Sequence, residues 1–172
     1  MVRLATSLAL VSASALVGGM SGAGCKAQAD ASATPAIAAD ASTPSAGKLR
    51  IVEATEGSVD SIVKGALAGA RAEGRTLVVY VGATWCEPCQ YFHRAAQRGD
   101  LDATFPRMTL LEFDLDKDRE RLVAAGYTSK YIPLFALPGP DGTASGKQVE
   151  GGIKGEGAVG YISGRLQQML SE

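Results

Sequence analysis

The stretch Thr76-Leu77-Val78-Val79-Tyr80-Val81, followed shortly by Trp85-Cys86-Glu87-Pro88-Cys89, decides how the rest of the chain is read. Its first part is apolar without the alternation of a half-exposed strand, which is the pattern of a central strand covered on both faces. Its last part places two cysteines two residues apart, and the residues beyond them read as a helix to about Arg98. A Cys-x-x-Cys pair at a strand-to-helix junction is the sequence form of a dithiol that opens and closes. Cys86 then stands at a helix N-terminus, where unpaired backbone N–H groups and the macrodipole stabilise a thiolate. The thiolate is the form that attacks a disulfide. Pro88 suits the first helical turn, where a missing N–H costs nothing. Cys89, three residues on, returns to the face of Cys86 within bridging reach.

Working outward, the folded part begins near Lys48, and Leu49-Arg50-Ile51-Val52 alternates as a short strand. Val59, Ile62, Val63, Ala66, Leu67 and Ala70 recur at helical spacing, with Ser58 placed to cap the helix and Gly74 to end it. After the cysteine helix, Gly99-Asp100 marks a break, a short helical piece runs to Phe105, and Pro106 stops it. Met108 to Leu115 reads as a second central strand, and Asp116 to Ala125 as a charged helix ended by Gly126. Tyr131 to Leu137 has strand composition with Pro133 inside it, which conflicts with a regular central strand. Pro138-Gly139-Pro140-Asp141-Gly142 is a turn, Gln148 to Ile153 pairs back as a hairpin, and Val159, Ile162, Leu166, Met169 and Leu170 form the apolar face of a last helix. The order is β-α-β-α-β-α-β-β-α: an α/β chain with one domain over residues 48–172.

This order, with Trp85-Cys86-Glu87-Pro88-Cys89 after the central strand and Ile132-Pro133 before a hairpin, resembles the thioredoxin superfamily over about residues 48–172. The Asp114-Leu115-Asp116 strand end and Gly151-Gly152 are similar to periplasmic thioredoxin-like domains, including the C-terminal domain of transmembrane thiol:disulfide interchange proteins. The resemblance implies a thioredoxin-like fold, a central mixed β-sheet flanked by helices. It implies thiol–disulfide exchange by the cysteine pair alone, with no cofactor and no metal. By matching position, Cys86 is the attacking thiol, Cys89 the resolving thiol and Trp85 an apolar platform beside them. Pro133 is the cis-proline facing the dithiol, and the backbone of Ile132 pairs with an extended substrate. Two positions depart from the pattern. Tyr80 stands where a buried acid usually lies six residues before the first cysteine, and Glu112 on the neighbouring strand is the candidate proton relay in its place, against a plain solvated carboxylate. Glu87 stands where glycine is common, and a carboxylate beside a thiolate raises the thiol pKa. That favours a reducing or isomerising role over an oxidising one.

The first 24 residues have the form of an export signal: Arg3, an apolar core from Leu4 to Val17 shorter than a comfortable membrane span, then small residues. Gly22-Ala23-Gly24-Cys25 resembles a bacterial lipoprotein signal, with Gly22 replacing the usual leucine-like residue. On that reading Cys25 is lipidated and the protein is anchored to the membrane in the periplasm. The competing reading is cleavage after Ala27-Gln28-Ala29, which leaves a soluble periplasmic protein. Residues 25–47 are mostly Ala, Ser, Thr, Pro and Asp with Ile37 the one large apolar residue, a composition that reads as a disordered tether.

The chain has 172 residues and a formal charge of −1, which gives no electrostatic basis for binding nucleic acid. The expected partners are protein thiols and disulfides of the cell envelope, with a membrane-embedded or soluble electron donor. His93, the only histidine, lies four residues after Cys89. It is read as a partly exposed helix residue, against a proton relay or a third ligand with the two cysteines. The last option defines the alternative function, a copper-handling module in which the dithiol holds a soft metal. Asp114, Asp116, Asp118 and Glu120 alternate with Lys117, Arg119 and Arg121, and read as a solvated helix start.

Overall fold

The computed structural model describes residues 47–172. The export signal, Cys25 and all but the last residue of the tether lie outside the described residues. The elements follow in the expected order: β1 (Arg50–Glu53), α1 (Val59–Ala72), β2 (Thr76–Gly82), α2 (Glu87–Arg98), β3 (Met108–Asp114), α3 (Leu115–Ala124), β4 (Leu134–Pro138), β5 (Ala144–Glu150) and α4 (Ala158–Ser171). The strands form one mixed sheet in the order β1-β3-β2-β4-β5. β3 runs parallel to both β1 and β2, while β4 is antiparallel to β2 and β5 antiparallel to β4.

The central strand behaves as its composition demands. Val78 and Tyr80 enter one core with Phe92, Leu110, Phe135, Ile162 and Leu166. Leu77, Val79 and Val81 enter the other with Val59, Val63, Leu111, Phe113, Leu122 and Leu134. Successive residues of a strand point to opposite faces, so a strand buried between two helix layers must be apolar at every position. The layers are α2 with α4 on one face and α1 with α3 on the other.

The structure differs from the sequence reading in local detail, each time for a physical reason. Pro133 does not interrupt a strand: β4 begins one residue later, and the Ile132–Pro133 peptide bond is cis. A proline has no N–H for a ladder, but its carbonyl accepts the Gly151 N–H at 2.8 Å. β5 starts at Ala144, well before Gln148. Ala144-Ser145-Gly146-Lys147 shows no apolar alternation because Ser145, Gly146 and Lys147 are exposed on both faces of the strand, and its register shifts between Ala136 and Pro138. Residues 99–107 are turns rather than a helix, with one Phe105 N–H to Leu101 carbonyl bond. Ser58 has the extended backbone of an N-cap but its side chain makes no capping bond. Its carbonyl accepts the first intrahelical bond, from the Ile62 N–H.

The β4–β5 turn is tied to α1 and to the loop after α3. Tyr127 donates its hydroxyl to the Gly142 carbonyl at 2.9 Å. Gly142 has φ 90°, and a β-carbon there would fall onto the Asp60 carbonyl oxygen. Only glycine suits such a position.

Candidate active site

β2 ends at Gly82 and delivers the chain to the start of α2. Cys86 is the N-cap of α2, with extended backbone, and its Sγ accepts the Cys89 N–H at 3.3 Å. This is the bond expected of a side chain that satisfies one free N–H of the first turn. Pro88 lies in that same turn. The two cysteines form a disulfide with their Cα atoms 5.2 Å apart. Both residues are almost enclosed, 4% and 3% exposed, yet they line different spaces. Cys86 lines a groove of about 540 Å³, and Cys89 lines a second, equally open cavity of about 750 Å³.

Trp85, Pro88, Tyr131 and Ile132 supply the apolar wall of the groove. Trp85 is 62% exposed, which for an indole requires a restraint. Its Nε1–H donates to Asp116 Oδ2 at 2.8 Å. The sequence pattern around Asp116 reads as a solvated helix start and does not disclose this contact; the signal for it is its position just past the end of β3, next to β2. Pro133 is buried and Ile132 reaches the groove. Glu87 does not simply face the thiol. Its Oε1 accepts the Gly155 N–H at 3.0 Å, so part of its charge is already spoken for. The loop that carries Gly155 lies tight on the motif, since a β-carbon on Gly152 would stand 2.8 Å from Pro88 Cβ.

The cavity behind Cys89 holds Tyr80, His93 and Glu112. Tyr80 is buried, stacked on Phe135 with ring centroids 5.0 Å apart. A β-carbon on Gly82 would stand 2.7 Å from the Tyr80 hydroxyl and 3.6 Å from Cys89 Cβ, so the phenol and the second cysteine meet beside this glycine. Burial, and secondarily the Glu112 carboxylate, push the Tyr80 phenol far up, so it stays protonated and cannot act as a base. Tyr80 and Glu112 are register partners on parallel neighbours and therefore share a sheet face. Glu112 Oε2 lies 3.1 Å from His93 Nε2 on α2. Sequence reading weighed Glu112 and His93 separately. The structure brings them together on the side of Cys89. Among the described residues, no group of three or more His, Cys, Asp or Glu side chains is placed to hold a metal ion.

Residues 60–140 match a thioredoxin-like family model. Over 103 residues the chain is 29% identical to the TPR repeat-containing thioredoxin TDX of Arabidopsis thaliana, covering 60% of this chain and 23% of that protein. The chain thus spans about a quarter of the length of that curated relative. Among solved structures, oxidised thioredoxin O1 of Arabidopsis thaliana is similar at 17% identity and TM-score 0.45, covering 73% of this chain and 97% of that one. A poplar thioredoxin h is similar at 18% identity and TM-score 0.43, covering 73% and 99%. Thioredoxin of Trypanosoma brucei brucei is similar at 21% identity and TM-score 0.40, covering 70% and 88%.

The Glu87–Gly155 bond makes a testable demand. Glu87→Ala removes a charge-assisted bond that is partly buried, and should lower stability by about 1 kcal/mol. Hydrogen exchange should speed up at the amides around Gly155, with the β2 amides unaffected. Unchanged exchange in that loop would mean the bond does not hold it.

Proposed function

Because residues 60–140 match a thioredoxin-like family model, we propose that the folded domain reduces or isomerises disulfides in proteins of the bacterial envelope. A thioredoxin-like domain with a Cys-x-x-Cys disulfide supports thiol–disulfide oxidoreductase chemistry in general. The observation that supports the finer reading is the division of the two cysteines between two spaces: Cys86 on the groove with Trp85, Tyr131 and Ile132, and Cys89 on the cavity with Tyr80, His93 and Glu112.

In the reaction, the Cys86 thiolate attacks one sulfur of a substrate disulfide. A Cys86–substrate mixed disulfide forms, and the other substrate sulfur leaves as a thiolate and takes up a proton. Cys89 then loses its proton and attacks Cys86 Sγ. The second substrate thiol is released, the electron pair of the dithiol has passed to the substrate, and the protein holds the Cys86–Cys89 disulfide. A dithiol donor, membrane-embedded or soluble, restores the reduced pair by the reverse exchange. Trp85 gives the substrate an apolar platform, and the Ile132 backbone pairs with it in extended form. Glu112, positioned by His93, takes the Cys89 proton in place of the usual buried acid. The protein works from the periplasmic face of the membrane through a lipid on Cys25, with residues 25–47 as its tether.

Four experiments test these statements. Cys86→Ser should abolish reduction of a protein disulfide, whereas Cys89→Ser should accumulate a mixed disulfide visible by mass under non-reducing conditions. The reducing direction requires a potential well below the glutathione range; one well above it makes the protein a disulfide donor. Glu112→Gln should slow the resolution step by on the order of tenfold to a hundredfold and move its pH profile, without changing the rate of mixed-disulfide formation. Equal slowing of both steps would assign Glu112 a merely structural part. Finally, Cys25→Ser should move the protein from the membrane to the soluble fraction; a wild-type chain that is already soluble selects cleavage after Ala29 instead.

A further inference from the structure

The groove beside Cys86 has a charge that the chain as a whole does not. The chain carries −1 overall. Yet the charged residues lining the groove are Arg119, Lys130 and Lys154 against the single carboxylate of Glu87. That carboxylate is engaged by the Gly155 N–H. The three cations are exposed, and among the described residues none of them is in an ion pair. They also come from three separate elements: Arg119 from α3, Lys130 from the loop before the cis bond, and Lys154 from the loop after β5. The Lys130 segment is fixed at its backbone, where Glu150 Oε2 accepts the Lys130 N–H at 2.8 Å. The Lys130 ammonium lies 5.3 Å from the centroid of the exposed Tyr131 ring.

We infer that this groove selects disulfides whose cysteine is flanked by aspartate or glutamate in an extended polypeptide segment. The inference rests on the thiol–disulfide reading above and names the substrate class of that site. An extended segment advances about 3.3 Å per residue, so residues either side of a cysteine at Cys86 pass within reach of groove-lining side chains. Cations placed around a reacting centre raise the local concentration of acidic partners and disfavour basic ones. Such attraction acts within a Debye length, about 10 Å at 0.1 M salt, and fades as salt rises. Trp85, Tyr131 and Ile132 supply apolar contact that is indifferent to charge, so the cations set preference rather than permission.

The test follows oxidation of the reduced full-length protein by three synthetic peptides. They share one internal disulfide and differ only in the residues flanking it, which are glutamate, glutamine or lysine. Trp85, the only tryptophan in the chain, stands beside the reacting cysteine and gives the fluorescence signal. The second-order rate constants should fall in the order glutamate, glutamine, lysine, with about a tenfold span at low salt that shrinks at high salt. The double substitution Lys130→Glu with Lys154→Glu should invert that order. Equal rates for the three peptides, or an order unchanged in the double variant, would overturn the inference and leave the oxidoreductase reading intact. Hydroxyethyl disulfide, small and uncharged, serves as the separate control. If neither it nor any peptide oxidises the reduced protein, the oxidoreductase reading itself falls.

Discussion

Strand β2 has Val78 and Tyr80 packed into one core and Leu77, Val79 and Val81 into the other. A segment held this way cannot slide or tilt without opening both cores at once, because close-packed interiors leave no room for partial moves. Gly82 and the start of α2 inherit that rigidity. The first free N–H groups of a helix can hold a sulfur only if the helix start stays where the sulfur is. Here the strand clamps the turn, the turn sets Cys86 as N-cap, and the Cys89 N–H meets its sulfur. The electrostatics of the dithiol are thus a product of apolar packing on both sides of the sheet.

The same clamp separates the two cysteines chemically. They are identical side chains three residues apart, but one borders a groove with aromatic and cationic walls and the other a cavity with a buried phenol and a His–Glu pair. Attack needs access to a partner, and resolution needs somewhere for a proton to go. Placing these needs on opposite sides of one helical turn lets each environment be shaped without disturbing the other. The phenol of Tyr80 keeps the back cavity polar without adding a second charge beside Glu112, since its own ionisation is suppressed by burial.

Much of this was legible in the sequence because it depends on periodicity and junctions. The unbroken apolar run at Leu77–Val81 announced a strand covered on both faces, and the Cys-x-x-Cys pair after it announced the reactive turn. Gly74, Gly99 and Gly126 marked helix ends, and each has a positive φ at that point. What stayed hidden depends on contacts across the sheet or between distant loops. Neither Glu112 nor His93 carries a local signal for the other; only the parallel register of β2 and β3 and the packing of α2 join them. Asp116 looked like an ordinary first-turn acid until Trp85 was found against it. The first part of β5 lacks alternation because Ser145, Gly146 and Lys147 are exposed on both faces, so period-two patterning fails there. The cations of the groove lie 35 residues apart at the extremes, Arg119 to Lys154, and no window of sequence contains their common destination.

The Glu87–Gly155 bond also has a bearing on how this motif can be altered. The residues between the cysteines of such a pair are the natural dial for tuning a thiol, because they sit nearest to it. In this molecule the dial is geared to something else: position 87 also anchors the loop carrying Lys154, one wall of the groove. Retuning the sulfur through position 87 would reshape the entrance at the same time. Chemical poise and substrate fit are here a single variable, and a lineage or a designer seeking to change one independently would have to work from the back cavity instead.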